Sequence, residues 1–235
     1  SRQREIDEKL ISLDGTPDKG KLGANAILGV SLAAAHAAAA SQKVSLFRLL
    51  GGDGPFRLPV PVYDMLAGGA HAQSTVDFQE YLVIPSGVPT FQEAVHAGFK
   101  IYQALREVLK GRGYVITQPG GPLAPSLRSN REGVEVVVAA IDKAGYRLGK
   151  EVFIGMDAAA SELYEDGKYK LKGEGRSLTS KEMVELWAEW VEAYPIVSIE
   201  DALAEEDWEG WQAVTERIGK KVQLVGDDLF TTNPT

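Results

Sequence analysis

Val152-Phe-Ile-Gly-Met-Asp157, Pro195-Ile-Val-Ser-Ile-Glu200 and Val222-Gln-Leu-Val-Gly-Asp227 are three short apolar runs, each followed at once by an acid. The runs read as strands over 152–156, 196–199 and 222–226, and helical patterns over 180–193 and 207–218 separate them. Thr179 and Glu182 stand at capping-box spacing before the first of these helices, and Met183, Leu186, Trp187, Trp190 and Val191 mark one apolar face. Such β-α-β-α-β alternation requires a parallel sheet, open or closed into a barrel, with the C-terminal strand ends converging on one face. Carboxylates there can share a cleft although far apart in sequence, and three hard oxygen donors call for Mg²⁺ or a similar cation.

A single strand-end acid is more often a helix cap or a solvated charge. Three in successive β/α units favour a common site. Asp201 and Asp228 directly follow Glu200 and Asp227, so two of the strand ends offer a choice. Alternation along a strand lets only one of each pair face the cation.

Outward from this region, the chain reads as a series of ordinary elements. A helix is expected over 91–110, with Thr90 and Glu93 at capping-box spacing, and Ser129 with Glu132 repeats the device before a helix ending near Ala144 and Gly145. Val60 to Leu66 and Phe78 to Ile84 are strand candidates. Gly, Pro and Arg dominate between Gly51 and Pro61, a candidate domain boundary. Before it, a short helix over 4–12 is stopped by Asp14-Gly-Thr-Pro17. The alanine-rich stretch from Ala24 to Ala40, interrupted by Asn25 and His36, reads as a buried helix and not as a membrane span.

Composition narrows the chemistry. No cysteine is present among the 235 residues, which removes disulfide scaffolds, thiolate zinc sites and cysteine nucleophiles and is compatible with a reducing cytoplasm. The net charge of −8 argues against nucleic acid or an anionic membrane as the main partner, so a small anionic substrate would need a local cation.

Several longer words resemble the enolase family: Lys21-Leu-Gly-Ala-Asn-Ala-Ile-Leu-Gly-Val-Ser-Leu-Ala33, Leu58-Pro-Val-Pro61, Gly68-Gly-Ala-His-Ala72, Val76-Asp-Phe-Gln-Glu80, Ser198-Ile-Glu-Asp201, Asp207-Trp-Glu-Gly-Trp211 and Leu224-Val-Gly-Asp-Asp-Leu229. The resemblance implies an α/β chain: residues 1–57 as the helical tail of an N-terminal α+β domain, and 58–235 as the first part of an enolase-type β/α (TIM-like) barrel. It implies a cytoplasmic, magnesium-dependent lyase of glycolysis, dimeric or larger, that dehydrates 2-phosphoglycerate to phosphoenolpyruvate. Carried over by motif, Asp157, Glu200 and Asp227 would be the metal ligands. His71 would contact substrate, Gln79 would line the pocket, and Glu80 would help handle the departing hydroxide. His36 and His96, on helical patterns without a glycine-rich context, read as ordinary surface or core residues.

The resemblance also breaks in places. Where enolases carry Gly-Asp-Glu-Gly-Gly-Phe-Ala-Pro, this chain has Thr117-Gln-Pro-Gly-Gly-Pro-Leu-Ala-Pro125, so Pro119 replaces the general-acid Glu and Gln118 the preceding Asp. Proline has no side-chain proton to give, and loss of a positioned acid typically slows a reaction by about 10²–10⁴. The family's general-base Lys and its phosphate-binding segment are expected beyond Thr235. A barrel stopped after its Asp227 strand is expected to leave a sheet edge and apolar helix faces uncovered. An enolase-like binding or scaffold protein that has lost catalysis is therefore the alternative reading.

Overall fold

The strand-end runs form the parallel part of one five-stranded sheet, seen in a computed structural model that describes residues 2–72, 76–116, 120–231 and 233. Its strands are β1 (Tyr63–Ala67), β2 (Glu80–Ile84), β3 (Phe153–Asp157), β7 (Ile196–Glu200) and β8 (Gln223–Val225), paired in that order. β3 pairs parallel to β7, and β7 parallel to β8. β2 runs antiparallel to both of its neighbours, β1 and β3. Gln79 and Glu80 therefore stand at the start of a strand, not at its end like the other acids. The reversal brings them to the same rim all the same, and Glu80 is the register partner of Asp157. The sheet does not close into a barrel among the described residues.

Helices α4 (Phe91–Gly111) and α5 (Asn130–Lys143) pack on one another, as do α6 (Ser180–Ala193) and α7 (Trp208–Ile218). Of the three expected capping boxes only the last is complete: the Thr179 hydroxyl accepts from the Glu182 N–H, and the Glu182 carboxylate accepts from the Thr179 N–H. Thr90 and Ser129 cap their helices through the hydroxyl, but the carboxylate of Glu132 is engaged elsewhere.

Between β3 and α6 lies a small antiparallel sheet that the sequence reading did not foresee: β4 (Tyr164–Glu165), β5 (Lys168–Leu171) and β6 (Arg176–Leu178). Asp166 and Gly167, at φ 52° and 74°, form the two-residue turn joining β4 to β5. Positive φ at both turn positions matches the twist of a hairpin, and Asp-Gly supplies it at little steric cost.

The core lies between sheet and helices. Phe78, just before β2, stacks on Trp187 with ring centroids 4.9 Å apart and meets Trp190 edge-on at 5.6 Å. Two tryptophans then hold the chain after β7: Trp187 Nε1 donates to the Ala202 carbonyl at 2.9 Å and Trp211 Nε1 to that of Ala204 at 3.0 Å. Tyr169 of β5 adds a third tie, donating to Asp207 Oδ2 at 2.6 Å and accepting from the Ala204 N–H at 3.0 Å. The segment that follows Glu200 is thus anchored from behind by buried groups.

The chain divides into two compact units, Ser1–Leu58 and Pro59–Thr235. The first contains α1 (Gln3–Asp14), α2 (Ala24–Gln42) and α3 (Leu46–Gly51). Its alanine-rich helix differs from expectation: only Ala35 and Ala39 are buried, and Leu28, Val30 and Leu32 are about half exposed. Apolar residues surround α2, so a few packed neighbours cannot cover its whole circumference. By length and hydropathy alone α2 could also cross a membrane, a test that the core helices of soluble proteins pass as well.

Candidate metal centre

β3 and β7 end together, and their register makes Asp157 and Glu200 lateral neighbours. On the other side of Asp157, antiparallel pairing places Glu80 opposite it. Three carboxylates thus occupy adjacent positions along one rim. Asp157 is buried, while Glu200 and Glu80 are partly exposed. The Asp157 carboxylate accepts from the Ala159 N–H at Oδ1 and from Gln79 Nε2 at Oδ2, both at 2.9 Å. Asp227 lies two residues past β8, in an exposed turn.

Burial and mutual repulsion govern the charge on this rim. Burial, with Glu80 and Asp201 nearby, pushes the Asp157 carboxyl up to about 6 in spite of its two hydrogen bonds. Glu200 is pushed up to about 7, again by burial first and then by Asp157, Asp201, Asp227 and Glu80. Like charges crowded in a partly desolvated cleft disfavour ionisation, and a cation placed among them reverses the preference.

His71 joins the rim through the glycine-rich loop. Gly68 donates to the Gln79 carbonyl at 2.8 Å and Gly69 to that of Val76 at 3.0 Å, which lays the loop against the start of β2. A Cβ on Gly68 would stand 2.4 Å from the Phe78 oxygen, and one on Gly69 2.8 Å from the Asp77 oxygen. Gly69 also has φ 50°. Only glycine allows this approach. It sets His71 Nδ1 3.6 Å from Glu80 Oε1, with the imidazole about half exposed.

Comparison with known families accords with this geometry. Residues 55–235 match the family model described as the enolase C-terminal TIM barrel domain, and residues 1–50 match the enolase N-terminal domain. The chain belongs to the enolase family. It is an α/β chain carrying part of the enolase TIM barrel, and its family places it among the enolase-superfamily lyases. Enolases are magnesium-dependent.

The enolase rim of this chain fits such a cation in donor chemistry. Asp157, Glu200 and Asp227 offer hard carboxylate oxygens from consecutive parallel strands, the ligand type that Mg²⁺ prefers. The side chains are not gathered as a finished cage. Among the described residues, no three His, Asp or Glu side chains stand together closely enough to hold an ion. Positions 118 and 119, where the family's acidic pair would stand, lie outside the described residues.

Two further acids belong here: Asp64, which the sequence reading did not single out, and Asp201, which entered it only as the alternative to Glu200. Asp64 on β1 is pushed up to about 8 by burial, Glu80 and Asp157, and its Oδ1 has no hydrogen-bond partner among the described residues. The available signal was a lone carboxylate inside the apolar run Tyr63-Asp64-Met65-Leu66. Asp201 is 2% exposed and accepts from the backbone N–H groups of Asp227, Asp228 and Leu229. Strand alternation does not set its direction, because Asp201 lies past the end of β7 at φ 41°. Nor does it reach Asp227 and Asp228, which occupy a turn beyond β8.

Proposed function

We propose that this chain is the metal-bearing part of a cytoplasmic, homo-oligomeric enolase that dehydrates 2-phosphoglycerate to phosphoenolpyruvate in glycolysis, with Mg²⁺ held by Asp157, Glu200 and Asp227. The observation that carries the reading is the adjacency of Asp157 and Glu200 at the ends of paired parallel strands, with carboxyls pushed up to about 6 and about 7.

The proton on C2 of the substrate lies beside an ionised carboxylate, so its removal concentrates negative charge. A bound divalent cation would stabilise that charge, as in the general scheme for the enolase superfamily that serves as a standard example of this chemistry. The chain's own residues have separable tasks. Gln79 orients Asp157 through its amide hydrogen bond. His71 and Glu80 stand 3.6 Å apart beside the glycine loop, where they can hold substrate, and a proton carried by either one would let the departing hydroxide leave as water. Asp64 lies within electrostatic reach of Glu80 and Asp157, which with burial push its carboxyl up to about 8.

Isothermal titration with Mg²⁺ and 2-phosphoglycerate tests the reading. Cation-dependent binding of 2-phosphoglycerate that disappears in Asp157→Asn and in Glu200→Gln is the expected result. Binding of the substrate with equal affinity in the presence of a chelator would overturn it. Pro119 favours the second reading, a scaffold without catalysis, and phosphoenolpyruvate absorbance separates the two. Turnover restored by Pro119→Glu in the full-length protein supports the enzyme, and binding without turnover in both forms supports the scaffold.

A further inference from the structure

We infer that Asp201 is a positioning residue that holds the Asp227 turn against the ends of β3 and β7, and so sets the third ligand of the proposed cation site; the inference rests on that reading of the rim. Asp201 follows Glu200 directly, and the chain bends sharply there: its φ is 41°, in the left-handed region that non-glycine residues rarely occupy. A backbone so placed persists only where its surroundings over-determine it. Three sets of hydrogen bonds do so.

The first uses the main chain on the β8 side, where the Asp201 N–H donates to the Val225 carbonyl at 3.0 Å and extends the β7–β8 ladder by one residue past Glu200. The second reaches the opposite neighbour: the Asp201 carbonyl accepts from the Ala160 N–H at 3.1 Å, and the Glu200 carbonyl from the Ala158 N–H at 3.1 Å. These bonds tie the loop after Asp157 to the loop after Glu200. The third uses the side chain. Oδ1 accepts from the N–H of Asp227 at 3.1 Å and of Leu229 at 3.4 Å, and Oδ2 accepts from the N–H of Asp228 at 2.8 Å. The turn then closes on itself, with the Asp227 carbonyl accepting from the N–H of Phe230 at 3.2 Å and of Thr231 at 2.8 Å.

One residue therefore connects all three strand ends that bear the proposed ligands. The chemistry suits a buried carboxylate. A run of adjacent N–H groups is a concentrated partial positive charge, and a carboxylate accepts several of them with both oxygens. An amide cannot do the same, because one of its two terminal atoms donates and would face another donor. Asp227 itself is exposed and has no strand pairing to hold it, so its turn depends on what it receives from Asp201. Residues behind the ligands of a metal site commonly orient them, and their loss lowers affinity by about 10–100-fold.

The test compares the wild-type chain with Asp201→Asn, which keeps the size of the side chain and tolerates positive φ, and Asp201→Gly, which removes the carboxylate while accepting the same backbone angle. Amide hydrogen exchange at residues 227–229 and Mn²⁺ affinity by electron paramagnetic resonance are read on each. The expected result is faster exchange at 227–229 in both variants, unchanged exchange within β3, and Mn²⁺ binding weaker by about 10–100-fold. Asp228→Asn, which removes no acceptor from the turn, should leave both readouts unchanged. Wild-type exchange at 227–229 in the Asp201 variants would overturn the inference, as would wild-type Mn²⁺ affinity despite faster exchange. If the wild-type chain binds no Mn²⁺, the metal reading fails by itself, and the exchange arm still decides whether Asp201 holds the turn.

Discussion

Asp157 and Glu132 are both buried carboxylates, 6% and 3% exposed, and their surroundings drive them in opposite directions. Glu132 receives Arg128 Nη2 at 2.8 Å, Arg128 Nε at 3.1 Å, the Arg128 N–H at 2.9 Å and the Tyr114 hydroxyl at 2.8 Å, with Arg112 3.7 Å away. The hydrogen bonds from Arg128, aided by Tyr114, hold its carboxyl down at about 2 against the cost of burial. Among the described residues Asp157 has two neutral donors, with other acids nearby, so burial prevails and its carboxyl rises to about 6. A buried acid supplied with its own cation is structural. One buried among other acids lacks its counter-charge, which is the feature the proposed cation site rests on.

The contrast is most open to attack through cation binding. Replacing either strand-end acid of the rim, by Asp157→Asn or Glu200→Gln, should weaken Mn²⁺ binding by at least about 100-fold in calorimetric titration, more than the loss of a supporting residue usually causes. Glu132→Gln should leave that affinity unchanged. Equal losses in the two regions would erase the distinction.

Stability should show the reverse order. Glu132→Gln removes the charge that Arg128 and Tyr114 converge on. Because Arg128 is largely exposed and solvent-screened, we expect a loss of about 2 kcal/mol in urea unfolding. Asp157→Asn, which relieves repulsion, should not destabilise the cation-free chain.

The pH dependence sharpens the same comparison. Glu132 has a depressed carboxyl, so its contribution is present above its unfolded value near 4.5 and is lost as pH falls toward 2. Asp157 and Glu200 are raised. Their protonated forms favour the folded chain at low pH, and that contribution is lost as pH rises through about 6 and about 7. Unfolding free energy of the cation-free protein should therefore climb from pH 2 to 4.5 and decline from pH 5 toward 7.5. Removal of the acid limb by Glu132→Gln, with the upper limb intact, would assign each limb to its region.

The smallest expected effect concerns the helix caps. Glu182 completes its capping box, whereas Glu132 has given its carboxylate to Arg128. Thr179→Ala should cost about 1 kcal/mol, and Thr90→Ala, at a helix start without the reciprocal carboxylate bond to its own N–H, about 0.5 kcal/mol, by thermal denaturation.

Much of this organisation was legible in the residues because it is local. Hydrophobic period and cap chemistry located α4, α5, α6 and α7 to within a residue or two at most ends, and β-branched runs located β3, β7 and β8. The direction of β2 was not legible, since a strand carries no mark of which way its neighbours run. The β4–β5 hairpin has a readable signal in Asp166-Gly167. The exposure of α2 was not legible for a general reason: apolarity states what a surface would favour, and only the neighbours decide whether it is covered.

The sequence by itself determined the main helices, the strands of the β/α alternation, the family and the set of acids at the strand ends, because each depends on short-range periodicity or on words of contiguous residues. Tertiary structure alone decided which of those acids are alike. Register set Glu80, Asp157 and Glu200 side by side, a sharp bend turned Asp201 away toward the amides of 227–229, and two arginines and a tyrosine neutralised Glu132. The physical reason is that a carboxylate's charge is a property of its surroundings, and those surroundings come from residues tens of positions away in the chain.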